Sequence, residues 1–384
     1  MIRLLYIYPG PVPPPSNPAH DKFTFLSEIS EGEVLLPVWW KSARDAEPRF
    51  QANFPVYQVG RFRYHMFLTH RFPRVFRRYV EGFFYLYRGL RLHREKKFDA
   101  VIVYGTNRTG LAGVVIKRLT GAKLIVEIPG VPENAFRLDA PGPAPKYEIK
   151  RFFANRLLNF VGSAADCIKL LYPWQLSKYP KLTGKRVAVF HDFVPVRAIA
   201  DELCDQRADN KYLLLVGFPW FTKGVDILIR AFKSVAAQFP DYRLKLMGYY
   251  PDRKCLDELA EGCPQIEFLR PRSNEEAFKV FAGCSVYVLA SRTESMGRVL
   301  LEAMAVSKPI IASRVGGVSH YVENDENGIL FESEQELAEK LSLLMSDAGL
   351  RDRLAQQGHA RVLSEFDEHA YVRAFRSMLQ GLKD

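Results

Sequence analysis

Hydrophobic positions along the chain alternate between two rhythms. Runs such as "LLYIY" (4–8), "AVIVY" (100–104) and "KLIVEI" (123–128) are short and apolar at nearly every position. That pattern predicts strands buried on both faces, as in a parallel sheet. Helical spacing appears between them, for example over 110–119. The rhythm restarts at "KYLLLVGF" (211–218). A helix is predicted over 224–239, where apolar residues fall at 225, 228, 229, 232, 235 and 236. Further strands are predicted at 242–248, 284–290, 308–313 and 328–331. Strand–helix alternation met twice predicts an α/β chain of two Rossmann-like, doubly wound domains facing a central cleft. The expected boundary is the Pro-containing stretch "VFHDFVPVRA" (189–198), which gives domains 1–192 and 193–367. A last helix, about 368–384, carries Tyr371, Phe375 and Leu379 on one face and is expected to pack back on the first domain. In open parallel sheets, ligands bind at the carboxyl ends of the strands.

Length and composition fit this picture. The chain has 384 residues, enough for two domains. No apolar run approaches the ~18 residues that a membrane span needs. The start, "MIRLLYIYPGPVPPP", reads as a strand and a stiff loop rather than a targeting segment, so a cytoplasmic protein is expected. Five cysteines (167, 204, 255, 263, 284) show no C-x-x-C spacing, which predicts reduced thiols without zinc or disulfides. The formal charge of +11 is uneven. Residues 60–97 hold eleven Lys or Arg against Glu81 and Glu95, a net +9. Aromatic residues interleave there: Phe72, Phe76, Tyr79, Phe83, Leu86 and Leu90 step by three or four along one helix face. The segment reads either as a core helix with a charged outer face or as a surface for anionic lipid that presents a lipid-linked acceptor. No nucleic-acid-binding module is recognisable, so nucleic acid is not an expected partner.

The candidate chemistry lies in "ASRTESMGRVLLEAMA" (289–304). A strand runs into a loop and then into a helix. The N–H groups of Ser295, Met296 and Gly297 would form an anion-binding helix end, and Gly297 would admit a ligand close to the backbone. Glu294 stands at that end and Glu302 eight positions on, within the helix. Carboxylates do not bind phosphate, but they accept hydrogen bonds from sugar hydroxyls. A phosphate flanked by sugars describes a nucleotide sugar. The plainer alternative makes Ser291-x-x-Glu294 a capping box and Glu302 a solvated helix residue.

"ESMGRVLLEAMAVSKPIIASRVGGVSHYV" resembles the signature of the retaining GT-B glycosyltransferases (glycosyl transferases group 1): Glu, seven residues, Glu, then a strand and a Gly-Gly turn. "LLLVGFPWFTKGVDILIRAF" is similar to the start of that family's second domain. The resemblance covers roughly 211–365; over 1–190 only the rhythm of elements is similar. It implies that Glu302 accepts both ribose hydroxyls and that Glu294 contacts the donor sugar. It implies that the backbone of Ser295, Met296 and Gly297 holds sugar and diphosphate, and that Lys223 neutralises the leaving diphosphate. Gly217 ends the donor-side strand, and Gly316 and Gly317 form a close-approach turn near the donor. No cofactor or metal is implied, since a helix end and a lysine stand where a metal would. The expected partners are a nucleotide sugar, a glycan or lipid-linked acceptor, and an anionic membrane surface at 60–97. The expected location is cytoplasmic, peripheral on the inner face of the membrane. The rival readings are a nucleotide-sugar epimerase of the same fold and a catalytically silent nucleotide-binding or scaffold homologue.

Two departures stand out. Where the family usually has Arg after the strand-ending glycine, this chain has Phe218; Arg298 or Arg292 is expected to reach the phosphates instead. Where members often carry His after the strand at 123–128, this chain has Pro129. His20, Asp21, Arg108, Glu127 and Glu133 lie near predicted strand ends without any one standing out. His191 and Asp192 are expected to be hinge packing.

Overall fold

A computed structural model describes residues 1–10, 14–15, 17–38, 55–69, 72–130, 145–203, 209–251, 253–270 and 274–382. The chain divides into two compact units. One comprises Met1–Pro132, Glu148–Phe193 and Glu368–Asp384; Val194–Asp367 belongs to the other.

Among the described residues the first unit has eight strands: β1 (Ile2–Ile7), β2 (Ser30–Val38), β3 (Val56–Val59), β4 (Phe62–Leu68), β5 (Ala100–Tyr104), β6 (Lys123–Glu127), β7 (Cys167–Leu170) and β8 (Val187–Val189). Their spatial order is β3-β4-β2-β1-β5-β6-β7-β8, and only the β3–β4 hairpin is antiparallel. Successive side chains of a strand point to opposite faces, so an all-apolar strand feeds two cores. Leu4, Tyr6, Ile102 and Ile125 enter one core, with Phe23, Tyr371 and Phe375 from helices Lys22–Leu26 and Glu368–Gln380. Leu5, Ile7, Val101, Val103, Leu124 and Val126 enter the other. That second core is covered by helices Arg74–Glu95, Arg108–Thr120 and Pro145–Ala164, which lie on the same sheet face.

Among the described residues the second unit has six parallel strands: β9 (Tyr212–Val216), β10 (Arg243–Met247), β11 (Ile266–Leu269), β12 (Val286–Leu289), β13 (Ile310–Ser313) and β14 (Ile329–Phe331). Their order is β11-β10-β9-β12-β13-β14. The chain runs outward from β9 in one direction, then returns to β12 and runs outward in the other. The gap between the ends of β9 and β12 is therefore the topological switch point. Both units are doubly wound α/β, as the periodicity predicts.

Three differences from the sequence reading have physical causes. β2 was not predicted, because it carries Glu31, Glu33 and Pro37. β1 stops pairing at Leu35, so the proline lies past the end of that ladder. The first part of 60–97 is a strand, β4, and the helix starts only at Arg74. That helix also divides its apolar residues between two faces. Phe84, Tyr85 and Leu92 are buried, whereas Phe76, Tyr79, Phe83 and Tyr87 are 59%, 75%, 68% and 55% exposed. The stripe read as a candidate core face therefore points largely to solvent. Among the described residues no helix is long and apolar enough to cross a membrane. Cys167, Cys263 and Cys284 are buried thiols and Cys255 an exposed one; Cys204 lies outside the described residues.

Candidate functional site

Two loops meet at the switch point of the second unit. One follows β9 and leads through Lys223 into helix Val225–Val235. The other follows β12 and leads through Glu294 into helix Arg298–Ala305. The Arg292 amide donates to the Thr222 carbonyl (2.8 Å), which ties the loops together. Lys223 Nζ donates to Glu294 Oε2 at 2.7 Å, and Ser291 Oγ donates to the same oxygen at 3.1 Å. Both ends of the ion pair are mostly buried. Ser291 is itself fixed: its carbonyl accepts from Ser313 Oγ (2.7 Å) at the end of β13. Gly217 lies against the stem of Lys223, where a Cβ would meet Lys223 Cγ at 2.8 Å.

The helix begins later than its apolar pattern suggests. Gly297 is the N-cap residue with φ +67°, so its first role is the left-handed turn that starts the helix. Met296 and Gly297 are buried, and Ser295 is half-buried. The Ser295 carbonyl accepts from the Gly317 amide at 3.0 Å. Glu302 lies one turn inside the helix, and its Oε1 accepts from Arg298 Nε at 2.9 Å. The capping-box alternative fails: Ser291 bonds the Glu294 side chain, well before the helix starts.

The Gly-Gly turn acts on Glu294 directly. Gly316 has φ +56°, and a Cβ there would lie 1.6 Å from the Glu294 carbonyl oxygen. The close approach is thus to the Glu294 backbone. Beneath the loops, the buried Tyr287 hydroxyl is pushed well above its usual pKa by burial and then by the charges of Glu294 and Glu302. It stays a neutral phenol there, 3.5 Å from the Val216 carbonyl.

The two arginines considered for the missing family position differ in what they touch. Arg292 bonds the neighbouring loop and helix. It forms two 2.7 Å hydrogen bonds to the Asp226 carboxylate and a third, 2.6 Å, to the Phe221 carbonyl, and it stacks on the Phe221 ring at 4.0 Å. Burial pushes the Asp226 carboxyl up, but the hydrogen bonds and charges of Arg292 and Arg230 outweigh this and hold it below the usual range. Asp226 was not singled out in the sequence. Its signal was a lone acid in the first turn of an otherwise apolar helix start. Arg298 is the more exposed of the two and reaches Glu302. Phe218 is half-exposed and faces Tyr249, whose ring carries the Arg270 guanidinium at 4.7 Å.

In the first unit, the residues near strand ends have structural partners. Asp21 caps helix Lys22–Leu26 and accepts from Tyr64 (2.7 Å). Arg108 pairs with Glu81 (2.8 Å). Tyr6 donates to Glu127 (3.5 Å), and Asp192 pairs with the buried Lys169. His191 Nδ1 lies 2.9 Å from the Asp192 carbonyl, and His20 sits in a short 3-10 turn. Pro129 follows the end of β6, and Glu133 lies outside the described residues. Among the described residues no group of three or more His, Cys, Asp or Glu could hold a metal ion.

Comparison with known proteins gives the site its context. The sequence profile of the glycosyl transferases group 1 family matches residues 205–361. An uncharacterized glycosyltransferase of Haemophilus influenzae is 33% identical over 165 residues, which is 41% of this chain and 46% of that protein. LpsE of Rhizobium meliloti, a lipopolysaccharide core biosynthesis glycosyltransferase, is 27% identical over 56% of this chain and 64% of its own. The chain spans about half the length of the first curated relatives it matches. The crystal structure of HepE from Anabaena in complex with UDP superposes with a TM-score of 0.68 at 17% identity, over 99% of this chain and 100% of HepE. Residues 205–361, with Lys223, Glu294 and Glu302 among them, therefore match the glycosyl transferases group 1 family, and the chain has the GT-B fold.

Proposed function

We propose that this chain is a glycosyltransferase acting on a nucleoside diphosphate sugar and a hydroxyl of a glycan or lipid-linked acceptor. The observation that carries this reading is the Lys223–Glu294 pair at the switch point, with Glu302 on the helix that follows. A cation and two carboxylates at the ends of adjacent strands suit a ligand with phosphate between two sugars. Glu302 would accept from the ribose hydroxyls and Glu294 from the donor sugar. As the bond between the anomeric carbon and the phosphate oxygen breaks, negative charge builds on the diphosphate. Lys223 would then turn from Glu294 to that charge, where a fixed cation contributes most. Transfer is proposed to proceed with retention at the anomeric carbon and without a divalent ion. The UDP bound to HepE and the role named for LpsE support a nucleotide donor and a cell-envelope product.

The exposed aromatic and basic face of residues 60–97 supports a peripheral place on the inner membrane surface, where a lipid-linked acceptor is found. A thermal-shift screen across UDP-, GDP-, ADP- and dTDP-sugars would identify the donor, because bound ligand raises apparent stability. Incubating the labelled donor with an envelope extract should then yield a glycoside whose anomeric configuration, read by NMR, matches the donor's. An isomerised donor, or no turnover, overturns the transferase reading. Activity abolished by EDTA and restored by magnesium overturns the metal-free part alone.

A further inference from the structure

The hairpin β3–β4 and helix Arg74–Glu95 enclose an open groove of about 500 Å³. Met66, Phe67, Phe72, Val80, Phe83 and Phe84 form its apolar walls. Phe83 and Tyr87 make one lip, stacked on each other at 5.7 Å between ring centres and 8° between planes. Both rings are more than half exposed. Among the described residues, the polar side chains that line the groove are His65, Arg88 and Arg91. His65 and Arg88 meet at 3.0 Å, and His65 meets the buried Glu33 carboxylate at 2.7 Å. The Arg91 side chain is more than half exposed and pairs with the equally exposed Glu95 at 3.3 Å.

We infer that this groove holds the hydrocarbon chain of an anionic lipid, the carrier of the acceptor, with the arginines at its phosphate. The inference rests on the membrane-surface reading proposed above. The lining decides the ligand class. A peptide would bring a donor and an acceptor per residue into a groove with almost nothing to pair them, and unpaired polar groups are costly to bury. A nucleoside would meet the same deficit. A hydrocarbon chain has no such groups, and the volume lies within the range of small-ligand pockets, roughly 300–1,000 Å³. The lining includes two arginines and no carboxylate among the described residues, which favours an anion for the head. The helix that walls the groove belongs to the same helix layer that exposes Leu119, Phe152 and Phe153, apolar side chains suited to a lipid surface.

The test uses the full chain and a dansylated undecanoic acid, whose fluorescence rises in an apolar site. Saturable binding is expected. Decyl phosphate should displace the probe at about tenfold lower concentration, or less, than butyl phosphate or decanol. Val80→Trp fills the groove, and Phe83→Ser opens its exposed lip without touching the core; each should weaken probe binding about tenfold. Phe76→Ser with Tyr79→Ser lies outside the lining. It should reduce sedimentation with equimolar phosphatidylglycerol and phosphatidylcholine vesicles while leaving probe binding unchanged. Absence of saturable binding, or equal displacement by butyl phosphate, overturns the groove inference. Vesicle binding that persists in that case leaves the membrane reading standing. Probe binding without any vesicle binding removes the membrane reading and, with it, the lipid carrier as the groove's occupant.

Discussion

Lys223 and Glu294 neutralise each other across 71 positions of sequence, and Arg298 and Glu302 do so across four. Each pair couples a cation suited to phosphate with a carboxylate suited to sugar hydroxyls, so an arriving donor would compete for both members. Arg298→Ala is expected to weaken nucleoside diphosphate binding by about 1–3 kcal/mol, the scale of charge-assisted hydrogen bonds. Calorimetry should show a smaller loss for the free nucleoside; an unchanged diphosphate affinity refutes a phosphate role for Arg298. Asp226 makes a different statement. Its carboxyl is held below its usual range, so it adds stability above its unfolded value of about 3.9 that is lost as pH falls through the lower folded value. Urea midpoints of the native chain should therefore fall below about pH 4. Arg292→Ala should flatten that fall by one titrating carboxyl and lower stability at neutral pH by about 1–3 kcal/mol.

At the scale of elements, the site depends on one turn pressing on another. Gly316 is held at positive φ against the Glu294 carbonyl. Gly316→Ala should destabilise by about 1–3 kcal/mol, seen as a lower Tm, and should cost donor turnover beyond what the lost stability explains. How far the elements could be read from sequence follows from where their side chains go. β1, β5, β6 and β9 are apolar on both faces, and their periodicity is unmistakable. β7 hides a lysine: "CIKL" places Lys169 in the interior, where Asp192 pairs with it from 23 residues away and the charge of Glu127 and the Phe190 ring add support. A linear pattern cannot show that compensation. Glu294 and Glu302 were legible because they share one short segment. The pairing of Arg292 with Asp226, 66 residues apart, was not. On helix Arg74–Glu95 the three-to-four spacing was visible. Which of its apolar residues faced the sheet was not, because both sides of the helix are aromatic.

For the whole molecule, the feature with the widest reach is the last helix. Tyr371, Val372, Phe375, Met378 and Leu379 are buried in the core of the first unit, although they come after every strand of the second. Burying each contributes roughly 1.5–3 kcal/mol. Together they match the stability margin of a typical domain, about 5–15 kcal/mol. A chain cut after Asp367 should thus lose protease resistance in its first unit, while fragments from Val194–Asp367 persist on limited proteolysis. The same helix sets an order of events during synthesis. Translation at roughly 5–20 residues per second delivers the second unit's strands first. The opening unit must wait, with its apolar sheet face uncovered, until the ribosome has made a segment some 170 residues farther on. The chain's first-made half is therefore its last to close, and in that interval it is the part most in need of a chaperone.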